Sequence, residues 1–255
     1  MQNSVLAQRP IKRNVSFVIM KRVLLLCLIS FMGYSQTKPA AGTAAAAPVK
    51  PVRAAKYEVL YGSKPLSKAD QKELNEFVAS CDASFGSRAE AVTFFAERAW
   101  EYVASARLDT ATYRFNLISA LDPNSVDAFW GLGVISFQRG DNDLAIRLLN
   151  KGLELDSTQS MMRVDYAIVK LSCYEKGQDC GTLDEVETEL KHALAQDPKN
   201  ANAWMKRCQV AYYKENYELA WTYFHEARMA DILQLDLNFG SQLAAKMPDP
   251  KGIFK

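Results

Sequence analysis

A period of 34 residues runs through the central and C-terminal parts of this 255-residue chain. Aromatic, small and acidic residues all recur at that spacing. The pairs are Phe95 and Phe129, Ala99 and Gly133, Ala111 and Ala145, Phe115 and Leu149, and Asp122 and Asp156. A fixed period of about 20 to 50 residues indicates a chain built from stacked copies of one structural unit. The sequence therefore predicts an array of stacked units.

A second spacing, of 75 residues, locates an insertion. It relates Phe129 to Trp204, Gly133 to Cys208, Ala145 to Ala220 and Pro123 to Pro198. Seventy-five residues exceed two periods by seven, so one intervening unit carries seven extra residues. Ala167 keeps the small position of that unit's first helix, and Val186 and Leu190 keep the register of its second. The insertion is therefore expected between Leu171 and Val186.

The residues at these positions resemble the tetratricopeptide repeat (TPR) family. That family's pattern is a Trp, a Leu-Gly three residues on, a Tyr three further, then an Ala, an aromatic residue four later and a closing Pro. The matching residues are Phe95, Ala99, Tyr102, Ala111, Phe115 and Pro123 in the first unit, Phe129, Leu132, Gly133, Ala145 and Leu149 in the second, and Trp204, Tyr212, Ala220 and Phe224 in the last. Two departures are Ser157 in place of the proline of unit two and Arg163 in place of the aromatic residue of unit three.

The resemblance implies an all-α fold, a right-handed α-solenoid of about four helix pairs with flanking capping helices. The units are expected at about 92–125, 126–159, 160–200 and 201–231, within a solenoid that spans 88–231. Neighbouring units must stack, because no unit can bury its apolar face alone.

Both ends of the solenoid carry signals for a covering helix, which an open end needs to stay soluble. The N-terminal cap is predicted over 65–87 and begins with the capping-box sequence Ser67-Lys68-Ala69-Asp70. The C-terminal cap and tail are predicted over 232–255. There Ile232, Leu235, Phe239 and Leu243 recur at helical spacing, before Met247-Pro248-Asp249-Pro250.

Residues 1–35 have the pattern of a secretory signal peptide. Lys21 and Arg22 precede a ten-residue apolar run, Val23 to Met32, which is shorter than the about 20 residues of a spanning helix. Small residues at Gly33 and Ser35 predict cleavage after Ser35. Met20 is a second candidate for the first residue of the translated chain. An uncleaved anchor is the alternative, and a lipoprotein is disfavoured because Leu26 precedes Cys27.

Residues 36–64 are predicted to be a disordered tether. The stretch is rich in Ala and Pro, and most of it lacks acidic and large apolar residues. Such a composition cannot bury enough surface to offset its ordering entropy. Together with the leader, it predicts a protein exported to the periplasm or cell envelope of a Gram-negative bacterium, or secreted.

Charge and motifs argue against several function classes. Residues 36–255 hold 26 basic and 29 acidic side chains with no Lys/Arg block, so a nucleic-acid partner is not expected. His192 and His225 lie on second helices without a metal-ligand spacing and are expected to be exposed and solvated. Gly131 and Gly133 lack the third glycine of a phosphate loop. No nucleophile has a motif around it, so no catalytic residue, metal or cofactor is predicted.

Four cysteines follow the leader. Cys81 and Cys208 fall on apolar or small positions and are expected to be packed thiols. Cys173 and Cys180 bracket the insertion, and an exported protein meets oxidising surroundings. A bridge there would stabilise the fold by roughly 2–3 kcal/mol in the chain-entropy picture. The sequence leaves open whether the two thiols are bridged or free.

The resemblance also implies a ligand-binding groove along the first helices. Transferred one position at a time, the groove residues are Trp100, Trp130, Val134, Gln138, Val164, Ile168, Met205, Lys206, Gln209 and Tyr213, together with Ala96, Glu97 and Asp165. Some family members bind the C-terminal carboxylate of a partner through Lys, Arg and Asn side chains at several of these positions. Only Lys206 matches that set here, so no such carboxylate clamp is expected. The groove is instead predicted to be apolar and aromatic, with Trp130 as its anchor.

The function that follows is a non-catalytic protein–protein interaction scaffold in the cell envelope, binding an apolar peptide or partner segment in the groove. The alternative is an accessory subunit that contacts glycan or peptidoglycan, with Trp100, Trp130 and Tyr213 as sugar-stacking rings. Self-association through the superhelix face is a third hypothesis. The partner's identity is not encoded in any motif.

Overall fold

The computed structural model describes residues 54–254, and within that range it contains ten α-helices and no strand. The expected signal peptide and most of the expected tether lie outside the described residues. The helices are α1 (Lys68–Ser84), α2 (Arg88–Ala104), α3 (Leu108–Leu121), α4 (Val126–Gln138), α5 (Asn142–Leu155), α6 (Ser160–Glu175), α7 (Leu183–Gln196), α8 (Ala201–Tyr213), α9 (Tyr217–Ala230) and α10 (Leu237–Lys246).

Helices α2 to α9 form four consecutive pairs, each made of two neighbouring helices that pack closely. The second helix of each pair also contacts the first helix of the next pair, so the pairs stack in chain order. The predicted all-α solenoid of four helix pairs is confirmed. In the described range, no helix is both long and apolar enough to span a bilayer.

Short polar side chains start the helices. Ser87, Ser125, Asn200 and Asn216 each accept a hydrogen bond from the backbone N–H three residues on, at α2, α4, α8 and α9. Thr182 and the third residue of α7 form a reciprocal capping box. These caps satisfy N–H groups that have no partner inside the helix, so the turn sequence of each unit fixes where its helices begin.

The repeated small residues lie where two helices approach. Ala99, Ala167 and Cys208 are all fully buried. A Cβ atom at Gly133 would lie 2.8 Å from Leu149 Cγ on α5, inside van der Waals contact. The period of 34 therefore arises because every helix pair needs a small residue at the same position, where its two helices approach.

The insertion is divided between a helix and a loop. Helix α6 has 16 residues, against 13 in α4 and in α8. The α6–α7 loop runs over 176–182, against 139–141 for the α4–α5 loop. Three inserted residues thus lengthen α6, and four lengthen the loop that follows it.

The N-terminal segment differs from the expectation of a tether up to residue 64. Residues 55–63 form two short 3-10 turns that pack against α3. The amide of Asn116 on α3 holds them, because its Oδ1 accepts a hydrogen bond from Leu60 N (3.0 Å) and its Nδ2 donates to two backbone carbonyls, the closer at 2.8 Å. Asn116 is fully buried, so the segment supplies partners to a polar group inside the core and is not a tether.

The C-terminal helix is shorter than expected. Asp236 caps it through Phe239 N at 3.0 Å, so α10 begins at Leu237. Phe239 and Leu243 are buried, as helical spacing predicted, but Ile232 lies outside the helix in a 3-10 turn and is 64% exposed.

Candidate binding surface

The first helices of the four pairs, α2, α4, α6 and α8, contact one another in sequence. We call the face that they form the first-helix surface. All of the groove residues inferred from the TPR resemblance belong to these helices. The structure divides those residues into a buried group and a half-exposed group, and it leaves Glu97 on α2 exposed.

The buried group consists of residues that expose at most 7% of their surface. Its members are Ala96, Trp100, Trp130, Val134, Val164, Asp165 and Met205. Trp130, expected as an exposed anchor, is 1% exposed. Its indole Nε1 donates to Asp165 Oδ2 at 2.7 Å, and its ring lies edge-on to Trp100 with the centroids 5.0 Å apart. The expectation of an open aromatic groove anchored by Trp130 is therefore wrong, because these side chains pack as core.

The half-exposed group lies along α4, α6 and α8 and contains Gln138, Ile168, Lys206, Gln209 and Tyr213. Three of its members are linked to one another or to the end of α6. Lys206 Nζ donates to Gln209 Oε1 at 2.9 Å, and Tyr213 OH donates to Glu175 Oε1 at 2.8 Å. The Tyr213 ring also packs against Tyr174, with centroids 5.6 Å apart. The accessible part of the surface is thus mixed, with amide, phenol and aliphatic groups.

At the α8 end of the first-helix surface, the charged groups that act on Lys206 are carboxylates. Burial lowers the pKa of the Lys206 ammonium, against the opposing attraction of Glu175 and Asp236. Burial raises the pKa of Tyr213, and its hydrogen bond to the Glu175 carboxylate adds to that rise. Glu175 and Asp236 thus lie close enough to Lys206 to act on its pKa, and the absence of a carboxylate clamp stays a prediction.

The two histidines differ, and one expectation is wrong. His192 is exposed. His225 on α9 is 2% exposed, and its Nε2 lies 2.8 Å from Asp249 Oδ1. The ring packs against both Trp221 and Phe254, with centroids 5.8 and 6.0 Å away, and those two rings are 6.1 Å from each other. His225 is thus a core residue whose partner comes from the C-terminal tail.

The tail after α10 is fixed by Asp249. Its carboxylate accepts from His225 and from the backbone N–H groups of Lys251, Ile253 and Phe254, at 2.8 to 2.9 Å. Burial alone would raise the pKa of Asp249, but these hydrogen bonds outweigh it and lower the pKa to about 2. The sequence predicted only that the last helix ends before this tail. The Pro-Asp-Pro run and the late aromatic Phe254 were the available signals.

The structure joins Cys173 and Cys180 in a disulfide that closes the α6–α7 loop, with their Cα atoms 5.8 Å apart. That separation lies within the usual range for a bridge. Cys81 and Cys208 are buried thiols, and burial raises the pKa of the Cys208 thiol. Across residues 54–254, no three His, Cys, Asp or Glu side chains are grouped to hold a metal ion.

We expect the 173–180 peptide from non-reduced protein to be lighter by about two mass units than the same peptide after reduction, since bridging removes two S–H hydrogens. Peptide mass spectrometry after export through an oxidising compartment measures this. The buried thiol peptide of Cys208 is the internal control and should keep one mass under both conditions. Alkylation of both Cys173 and Cys180 without reductant would contradict the bridge.

Comparison with known proteins supports the fold. Among solved structures, PilF of Pseudomonas aeruginosa superposes with a TM-score of 0.52 at 20% identity, over 63% of this chain and 67% of its own. The chain has the tetratricopeptide repeat fold. YrrB, described as a TPR protein with an unusual peptide-binding site, gives a TM-score of 0.47 at 20% identity, over 68% of this chain and 86% of its own. No family model matches the chain, and no curated protein matches it.

Proposed function

We propose that this chain is a non-catalytic scaffold that binds a partner protein segment along the first-helix surface. The observation that carries the proposal is the half-exposed row on α4, α6 and α8, where Gln138, Ile168, Gln209 and Tyr213 follow one another across three stacked units. The side-chain amides can pair with backbone N–H and C=O groups of an extended segment. In the same row, Ile168 and the ring of Tyr213 offer apolar contacts to such a segment.

The chemistry of the row defines the partner. A segment with an apolar side chain for the contact at Ile168 and Tyr213 fits, and a basic residue next to it would meet the Glu175 carboxylate. An acidic segment would meet Glu175 and Asp236 beside the Lys206 cation. Such a partner is an apolar or weakly basic peptide, and it contacts the half-exposed residues of the first-helix surface rather than the buried Trp130.

Glycan binding has less support. Of the three rings expected to stack on sugars, Trp100 and Trp130 are 7% and 1% exposed, and Tyr213 is half-buried. Flat, accessible aromatic faces are what a sugar needs for stacking, and two of the three candidates offer none.

A photo-crosslinking amino acid at Gln209 tests the proposal in the native cell. We expect it to capture a protein partner, while the same group at His192, an exposed position on α7, captures none. A second variant, Ile168→Asp, should reduce the Gln209 adduct at least fivefold, because it places a charge in the apolar contact. Circular dichroism melting shows whether that variant is folded.

Three outcomes would contradict the proposal. Equal adducts at His192 and Gln209 would show non-specific contact, and an adduct unaffected by a folded Ile168→Asp variant would place the contact elsewhere. Retention of purified chain on protein-free sacculi, with no protein adduct, would favour glycan. We further propose that the scaffold acts in the cell envelope, on the strength of the leader pattern in residues 1–35. Recovery of the chain from the cytosol with those residues retained would contradict export.

A further inference from the structure

Four large apolar side chains lie exposed where the chain passes from α9 to α10. They are Met229, Ile232, Leu233 and Leu237, with exposed fractions of 72, 64, 90 and 61%. We call this set the C-terminal turn patch. Every other large apolar side chain that the structure shows as exposed, in residues 54–254, is at most 47% exposed. Scattered exposed apolar residues are ordinary, but a concentration of this kind marks an interaction site.

The patch is held in a defined shape. Asp231 Oδ1 accepts from Leu233 N at 2.9 Å, which fixes the 3-10 turn, and Asp236 fixes the start of α10. Helix α10 turns Phe239 into the fold, so its exposed residue Leu237 stays outside. An ordered patch loses little conformational entropy on binding.

Charges at the edge of the patch indicate what covers it. The Arg228 guanidinium adjoins Met229, with Nη2 3.6 Å from Sδ. Its Nε is buried without a hydrogen-bond partner, and within the described residues it forms no ion pair. Two carboxylates, Asp231 and Asp236, flank the turn on the same stretch of chain. An occupant should therefore bring both an apolar face and a carboxylate for Arg228.

A second copy of the chain has both. We propose that the protein self-associates through the C-terminal turn patch, as a two-fold dimer in which the patches face each other. In a two-fold contact each surface meets itself, so Arg228 of each copy can reach an aspartate of the turn in the other. A lipid surface fits less well, because the flanking Asp231 and Asp236 would be repelled by anionic headgroups. This proposal does not rest on the proposed function.

The size of the patch sets the strength of the dimer. A stable interface covers about 800 Å² on each partner, and exposed patches of about 300–600 Å² are already large for a monomer. Four side chains on each copy are far fewer than the about 20–30 residues a side of a stable interface, so the dimer should be weak and should depend on protein concentration.

Sedimentation velocity over a concentration series tests the proposal with the full purified chain. We expect the average mass to rise from monomer towards dimer as the concentration increases. Leu233→Asp should raise the dissociation constant at least tenfold, because it places a charge at the centre of the contact. Arg228→Glu should also weaken the dimer by removing the charge pairing. Leu233 is 90% exposed, so its variant should fold and melt as the wild type does.

Leu155→Asp is the matched control, since Leu155 is a single exposed apolar residue, at 37%, at the end of α5. It should leave the dimer unchanged. A wild-type chain that stays monomeric at several hundred micromolar overturns the proposal, and so does a Leu233→Asp variant that dimerises like wild type. Flotation with phosphatidylglycerol/phosphatidylethanolamine vesicles separates the lipid alternative. Vesicle binding that Leu233→Asp abolishes, without any dimer, would assign the patch to a membrane and overturn self-association.

Discussion

Replacing Asp249 by asparagine is expected to lower the free energy of unfolding by about 3 kcal/mol. The carboxylate accepts four hydrogen bonds, from the His225 ring and from three backbone N–H groups. The amide of asparagine keeps one acceptor oxygen and turns an NH₂ group towards two of those donors. Donors that are left buried without a partner cost more than the hydrogen bond itself gained.

The loss should be local to the C-terminal end. In a solenoid each unit contacts only its neighbours, so the tail, α9 and α10 should open before α4 and α5. Hydrogen exchange by mass spectrometry should show faster exchange over 217–254 in the variant, with little change over 126–155. Asp197→Ala is the matched control, because Asp197 accepts a single exposed turn hydrogen bond, from Lys199 N at 3.2 Å. A uniform change along the chain, or none, would contradict this account.

Acid should have the same effect on the wild-type protein. The pKa of Asp249 is about 2 in the folded chain, below its ordinary value of 3.8. A carboxyl with a depressed pKa stabilises the fold above its ordinary pKa, and that contribution disappears as the pH falls through the folded value. The stability difference between wild type and Asp249→Asn should therefore be full above about pH 4 and should shrink towards pH 2.

The repeat could be predicted from the sequence because every unit has the same packing requirements. A helix pair needs a small residue where its helices approach and a large one where units stack, and stacking repeats both needs every 34 residues. The position of the seven-residue insertion could also be predicted, since Ala167 before it and Val186 after it keep their positions in the repeat. The fold class therefore followed from the spacing of a few residue types.

The surface was harder to predict because the same pattern does not say what covers a side chain. Trp130 occupies a position that the family resemblance assigns to ligand, yet Asp165, 35 residues away, binds its indole. His225 meets Asp249, and Asn116 meets residues 56–60, through contacts that occur once and have no period. Pairs of this kind are specified by tertiary geometry, which a single sequence does not display.

Gly131→Ala is expected to destabilise the protein by about 3 kcal/mol. The repeat pattern accounts for Gly133 as the small residue of this unit and does not account for Gly131. A Cβ atom at Gly131 would lie 2.1 to 2.4 Å from three ring atoms of Phe115, which is fully buried on α3. The ring has no empty space to enter, because protein interiors are close-packed. The helix propensity of alanine offsets only about 1 kcal/mol of the clash.

Chemical denaturation of the Gly131→Ala variant measures the effect, and two further variants identify its cause. Gly86→Ala is the matched control, since its Cβ would meet only the exposed end of Glu90, with Oε2 at 3.1 Å. Combining Gly131→Ala with Phe115→Leu should cost less than the two single changes together, because a smaller side chain on α3 makes room for the new methyl group. Additive losses would show that the methyl group and the ring do not meet. A Gly131→Ala protein as stable as wild type would mean that α3 and α4 can separate freely, contrary to the close approach on which each repeat depends.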